Sequence, residues 1–334
     1  MRITRELLLN TARDTVKQAT YGSHDITCAY LTGSLLFQDP LIGGTTDIDL
    51  VYVHALDVPA DREIIPVVDE YHLDITHYNE SLFSQPRSLR SDVWIGSFLC
   101  NSPILLHDTN HWFEFNQAVV AAQFFDPVNA IRRVRQFSEA ARAEWMALQS
   151  SPNNFSPRAL YRYLKSIESA ANAIVCISGV PLTERRILLD FARYAAGIQM
   201  PGLASGFIDL IVPEDPIEPN WDAWLADWRT TFGSLQRLNQ PPLKFSTGRL
   251  PYYQSAIEEL KDDHQEAALW ILISTWSQMM SLLPDDQPTC IAFADFCQVL
   301  MLGSDHYHAR LDALDAYLDT VEETIERWAR QNGV

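Results

Sequence analysis

Basic charge is in short supply in this chain. Against 43 aspartates and glutamates stand only 25 lysines and arginines, a formal net charge of −18. Neither the first 110 residues nor the remainder is net positive, so no basic face is offered to a phosphodiester backbone, and a polynucleotide substrate is disfavoured. An acidic surface does attract cations, a cationic small molecule among them, besides keeping the chain in solution. Cysteine is also scarce. The five, Cys28, Cys100, Cys176, Cys290 and Cys297, are odd in number and form no C-x-x-C pair, which argues against a disulfide framework or a cysteine zinc site and fits a reducing cytoplasm. Long apolar runs are missing as well: Ala267 to Ile273 is far too short to span a bilayer, and the first 20 residues mix charges into an amphipathic pattern unlike a secretory signal. A cytoplasmic protein without a membrane partner is expected. No internal repeat stands out, and 334 residues at 47% hydrophobic content are enough for about two domains.

The first third of the chain mixes element types. An amphipathic helix is predicted over Ile3–Thr20, with apolar strands at Ile26–Leu31, Ile48–Val53, His72–His77 and a last short one at Pro103–His107. Between the second and third strands, ADREIIPVVDEY reads as a short helix interrupted or entered at Pro66, and Ser88–Cys100 reads as another helix. From about residue 111 the pattern becomes helical throughout. Asp126-Pro127 and Ser156-Pro157 each place a capping residue before a proline at the first helical position. The proline- and glycine-rich stretch 201–220 reads as a long connection between two helical groups. In the last helix Leu311, Leu314, Leu318, Val321, Ile325 and Trp328 form an apolar seam, expected to pack on its own bundle, with homodimerisation the lesser alternative. The expected architecture is α+β: a small mixed sheet with helices over 1–110, then an all-helical domain over 111–334.

The chemistry is concentrated in LTGSLLFQDPLIGGTTDIDLVYV, residues 31–53. Side chains alternate along a strand, so Asp47 and Asp49 emerge from one face while Ile48 and Leu50 take the other. Two carboxylates that close repel each other unless a cation lies between them, and hard oxygens suit Mg²⁺ or Mn²⁺. Asp74, in the apolar strand HLDITHY, completes a three-carboxylate cluster if its strand neighbours that of Asp49. Gly33-Ser34 follows strand Ile26–Leu31 where a short helix begins, a turn whose N–H groups and hydroxyl favour phosphate oxygens. Gly43-Gly44-Thr45-Thr46 lets the chain turn back into the strand that carries the aspartates. Phosphates beside a divalent-metal cluster imply a nucleoside triphosphate.

Gly33-Ser34, twelve residues, Asp47-Ile48-Asp49-Leu50 and a later Asp74 together resemble the nucleotidyltransferase superfamily with the DNA polymerase beta palm fold. Within it, small bacterial aminoglycoside- and lincosamide-type members with a helical second domain are most similar, although many of these carry an arginine soon after the serine, where this chain has Leu35-Leu36-Phe37. The resemblance implies that Gly33 and Ser34 hold the triphosphate, with Thr46 beside them, and that Asp47 and Asp49 ligate two Mg²⁺ or Mn²⁺ ions. It implies too that Asp74 ligates one of the ions and helps to activate an acceptor hydroxyl. The implied reaction moves a nucleoside monophosphate from an NTP, ATP being the expected donor, to a small acceptor, and releases pyrophosphate. Alternatives are nucleotidylation of a protein or tRNA, as in toxin–antitoxin relatives, and a nucleotide sensor without turnover.

Outside this region the signals are weaker. Lys165 and Arg162 are candidates for phosphate contact and Glu168 for a base, though Lys165 and Glu168 have the spacing of a surface ion pair. Arg132, Arg133 and Arg135 read chiefly as a solvated helix face, and Trp221, Trp224 and Trp228 as core. His72 with His77, and His306 with His308, lack the second pair a zinc site needs, while His72 and Thr76 share the strand face of Asp74.

Overall fold

In a computed structural model the protein is described over residues 3–22, 25–150, 155–215, 217–284 and 289–334. The fold is α+β, with a five-stranded mixed sheet in the N-terminal part and a helical C-terminal region. Two compact units divide the chain: Met1–Asn129 with Pro251–Ala256, and Ala130–Leu250 with Ile257–Val334.

The first unit begins with helix α1 (Arg5–Thr20), whose Thr4 side chain caps the N–H of Leu7 and whose Leu8, Ala12 and Val16 recur at one face. Strands β1 (Ile26–Thr32), β2 (Thr46–His54), β3 (Arg62–Val68), β4 (Tyr71–Asn79) and β5 (Ile104–Asp108) lie in the order β3-β4-β2-β1-β5. Among the described residues only the β2–β4 pair is parallel, and it sits near the middle. Alternation along β2 serves two cores. Ile48, Leu50 and Tyr52 pack with Leu73 and Ile75 of β4 against α1, while Val51 and Val53 face the other way onto Phe83, Leu99 of helix α2 (Ile95–Cys100) and Phe113 and Val120 of helix α3 (Trp112–Ala121). Asp47 and Asp49 share the Val51–Val53 face but precede its apolar stretch, at the end of β2 where that core stops.

Three predicted elements differ from those observed. The segment read as a helix around Pro66 is strand β3, antiparallel to β4 at the sheet edge. Its run Ile64, Ile65, Val67, Val68 is β-branched, and an edge strand has one side of its backbone with no ladder partner, so the proline costs no sheet hydrogen bond there. Ser88–Cys100 is not continuous: a 3₁₀ turn (Ser88–Ser91) and α2 are separated at Asp92, whose Oδ1 accepts from Trp94 N–H (2.9 Å) and Ile95 N–H (2.6 Å). The 201–220 stretch contains helix α7 (Gly202–Asp209), anchored by buried Leu203 and Phe207 one turn apart. Its small residues concealed that pair.

The second unit is helical, with α4 (Pro127–Gln149) entering it from the first, then α5 (Pro157–Val175), α6 (Ile187–Gly197), α7, α8 (Trp221–Leu235), α9 (Arg249–Asp263, whose Pro251–Ala256 belong to the first unit), α10 (Gln265–Leu282), α11 (Thr289–Val299) and α12 (Tyr307–Gln331). α10 is apolar on nearly every side and is buried, packing on α5, α6 and α8. Buried Trp228 and Trp276 donate reciprocally to Thr275 and Thr231, both at 3.0 Å, which satisfies two indole N–H groups inside the core. The α12 seam packs on α5 and α7 of its own unit, and Arg142 of α4 grips its polar side through Asp315 (2.5 Å), Asp319 (2.6 Å) and Glu322 (2.8 Å). Of the arginine cluster, Arg132 and Arg135 are exposed, but Arg133 is fully buried, contrary to the solvated face expected of it. Among the described residues no helix is long and apolar enough to cross a membrane.

Candidate active site

Parallel pairing of β2 with β4 decides where the carboxylates meet. Asp49 is the register partner of Asp74, and Asp47 that of His72, so all four side chains leave the same face of adjacent strands. Asp47 and Asp74 are buried, and Asp49 keeps partial exposure. Burial, then the neighbouring charges of Asp74 and Asp47, hold the Asp49 carboxyl well above the usual carboxylate range, opposed by Arg62 and by a hydrogen bond from the Ser34 N–H.

The glycine–serine turn is pressed against the same carboxylate. Gly33 closes β1 with φ +74°, and a Cβ there would lie 1.9 Å from Asp49 Oδ2, so both the left-handed backbone and the close approach require glycine. Ser34 Oγ and Thr46 Oγ1 are 2.9 Å apart, and Thr46 Oγ1 also reaches the carbonyl of Pro40 at 3.2 Å. The two hydroxyls expected at the triphosphate therefore touch, across the loop that separates them in sequence. That loop closes in a tight hairpin: Ile42 and Thr45 exchange both backbone hydrogen bonds at 3.1 Å around Gly43 (φ +62°) and Gly44 (φ +67°), two successive positive φ values that glycines supply. Gly43 rests against the backbone of Ser255, and Thr45 Oγ1 donates to the carbonyls of Ile42 (2.9 Å) and Tyr252 (3.3 Å).

Two participants escaped sequence reasoning. Arg62, at the start of β3, forks onto Asp74 through Nε–Oδ1 at 2.7 Å and Nη2–Oδ2 at 2.5 Å. A strand reading of ADREIIPVVDEY would have placed it beside β4; the helix reading hid it. Tyr252 meets His72 edge to face at 6.4 Å from a segment far along the chain, where no local signal exists.

Asp47, Asp49, Asp74, Gly33, Ser34 and Thr46 thus come together in the first unit. Lys165 belongs to the second, where its Nζ holds Glu168 Oε2 at 2.7 Å; burial lowers its pKa, but Glu168 more than offsets this, and the net shift is upward. Arg162 is engaged with Glu144 at 2.6 Å. Among the described residues no three His, Cys, Asp or Glu side chains are gathered so as to hold a metal ion. His72 and His77 fall on opposite faces of β4.

No protein-family model and no curated protein matches this chain. Among solved structures, a nucleotidyltransferase-like protein from Exiguobacterium sibiricum 255-15 is similar at 10% identity and a TM-score of 0.34, over 87% of this chain and 91% of that one.

At the opposite end of β2, two buried histidines link a polar chain whose end carboxylates are partly exposed. Asp25 Oδ2 lies 2.7 Å from His54 Nδ1, His54 Nε2 lies 2.9 Å from His77 Nδ1, and His77 Nε2 lies 3.7 Å from Glu63. Burial and then the facing imidazole of His54 lower the His77 pKa, with Glu63 opposing. Between that lowered value and the ordinary one near 6.5 the unfolded chain binds the proton more readily, so the contribution of His77 to stability is complete above about pH 6.5 and is lost as pH falls below it. His77→Gln should flatten the dependence of the urea midpoint between pH 7 and pH 5.5, removing at most about 1.4 kcal/mol per pH unit. An unchanged slope would assign that dependence to other groups.

Proposed function

We propose that the chain is a metal-dependent nucleotidyltransferase that moves a nucleoside monophosphate from an NTP, with ATP the expected donor, to a hydroxyl of a small and preferentially cationic acceptor. One observation carries the reading: in-register Asp49 and Asp74 on parallel strands, with Asp47 two residues away, face a glycine–serine turn that packs directly on Asp49. Charge supports the acceptor class, since a chain of net −18 steers cations and disfavours a polynucleotide.

The donor chemistry suits Mg²⁺ or Mn²⁺. Hard oxygens of Asp47 and Asp49 project from one face; burial first, and then the charges of Asp74 and Asp47, raise the Asp49 pKa, and the repulsion among the three is what a cation relieves. Asp47 and Asp49 would hold the ion, and Asp74 would join them. A bound ion neutralises charge on phosphoryl oxygens and positions them. The remaining work falls to the chain itself. Ser34 presents a hydroxyl fixed by Thr46 at the turn where phosphate oxygens would lie, Gly33 would let backbone N–H groups approach, and Asp74 would orient the acceptor hydroxyl.

The test is thermal unfolding of the wild type and of Asp47→Asn/Asp49→Asn with each triphosphate, with and without Mg²⁺. Ligand at a hundredfold its Kd stabilises the native state by about 2.7 kcal/mol. A rise with one triphosphate, dependent on the ion and missing in the variant, is expected, followed by pyrophosphate release with hydroxylated cationic acceptors. No rise with any triphosphate overturns the reading.

A further inference from the structure

The third carboxylate already has a cation. Arg62 presents Nε and Nη2 to the two oxygens of Asp74 at 2.7 and 2.5 Å, a bidentate fork that takes one acceptor position on each oxygen. The partners are unequal in their access to water. The Asp74 side chain is 4% exposed and that of Arg62 54%, so the carboxylate is fixed while the guanidinium has a path outward. Its strand makes that path easy: β3 is the sheet edge, exposed along most of its length, with β4 its sole strand neighbour. Arg62 and Asp74 lie on the same face, with Arg62 opposite Thr76 and Ile64 opposite Asp74, so the fork enters diagonally from the open side of the cluster.

We propose that Arg62 is a resident counter-cation for Asp74 that a divalent ion must displace, so that completing the carboxylate cluster and releasing the arginine from β4 are one coupled event. The inference rests on the functional reading above and deepens it. Three carboxylates facing one another are unstable without a cation, and the arginine supplies one until the ion arrives. Coupling then sets the ion's affinity, because whatever free energy the fork contributes is subtracted from ion binding. Asp74 is engaged by the guanidinium, and among the described residues no three His, Cys, Asp or Glu side chains are gathered so as to hold a metal ion. Freed, the guanidinium stands at the rim of the cluster, where an anionic ligand would meet it.

The experiment is Mn²⁺ binding, followed by the electron paramagnetic resonance of the free ion, in the wild type, Arg62→Gln, Arg62→Lys and Asp49→Asn. Arg62→Gln should bind Mn²⁺ about tenfold more tightly than the wild type, and Arg62→Lys, which loses the fork but keeps the charge, should fall between them. In the absence of ion Arg62→Gln should unfold at lower temperature and regain the difference when Mn²⁺ is added, whereas an arginine of purely structural role would leave a deficit that the ion does not repair. In the wild type, Mg²⁺ should move the Arg62 Nε–H nuclear magnetic resonance toward that of a solvated guanidinium. Equal or weaker Mn²⁺ binding by both Arg62 variants, with binding still lost in Asp49→Asn, overturns the coupling while sparing the functional reading. Absence of Mn²⁺ binding in every protein overturns both. Should Arg62→Gln fail to fold, Arg62→Lys and the wild-type resonance decide the matter.

Discussion

Asp49→Asn should abolish ion-dependent nucleotide binding and lower any turnover by about 10³-fold or more, yet raise the unfolding temperature of the ion-free protein. The loss follows from removing one oxygen ligand and its charge where several kcal/mol of transition-state stabilisation would originate, each 1.36 kcal/mol being worth about a factor of ten. The gain in stability follows from linkage. Asp49 has its pKa raised well above the usual value by burial and by Asp74 and Asp47, so the folded state holds that proton more tightly than the unfolded chain does. Its ionisation therefore destabilises the fold progressively as pH rises through and above the ordinary aspartate value, and at neutral pH an asparagine is free of that penalty. Each 1 kcal/mol recovered moves the melting temperature by about 2 to 4 °C in a domain of about 150 to 250 residues. Calorimetry in chelator, at pH 5 and pH 7.5, checks the sign: the variant's advantage should grow at the higher pH. A variant less stable than the wild type in chelator would make Asp49 a structural hydrogen-bond acceptor for the Ser34 turn.

Gly33→Ala should damage the site as severely by a different route. Left-handed backbone costs a non-glycine residue about 1 to 2 kcal/mol, and the new methyl would fall 1.9 Å from Asp49 Oδ2, a distance no packing accommodates. Either the carboxylate swings away or the turn moves, and both separate Ser34 from Asp49. Gly44→Ala is the matched control. It carries the same backbone penalty at φ +67° but meets no atom within 4 Å. Urea midpoints should show a loss of about 1 kcal/mol for Gly44→Ala and a clearly larger one for Gly33→Ala. Ion-dependent nucleotide binding should survive only in the Gly44 variant. Equal behaviour of the two would place the role of Gly33 in its backbone alone and leave contact with Asp49 immaterial.

The two glycines show how unevenly the site was written into the sequence. Gly33-Ser34 and the Asp47–Asp49 alternation are local features, fixed by the strand period and by the backbone angles of one turn, and could be read directly. The contact of Ser34 Oγ with Thr46 Oγ1 could not, because it depends on how the loop 37–45 closes. Arg62 was missed since a β-branched run interrupted by proline satisfies both a short helix and an edge strand, and only the position of that run beside β4 resolves the ambiguity. Lys165 and Glu168 show the reverse: their three-residue spacing already spelled out an ion pair, and an ion pair is what they form.

What the sequence determined by itself was whatever repeats at short range: the apolar period of the helices, the cap at Ser156, the alternation along β2, and a charge balance that disfavours a polynucleotide. Tertiary structure decided what joins distant segments. It chose the parallel register that sets Asp49 against Asp74, turned Arg62 onto that carboxylate, and brought the 251–256 segment, with Tyr252, to His72 and Thr45. The physical reason is that strand pairing and side-chain contact across a sheet are set by burial over the whole unit, so a one-residue change of register, invisible in local pattern, would have turned Asp74 and Arg62 to the other face.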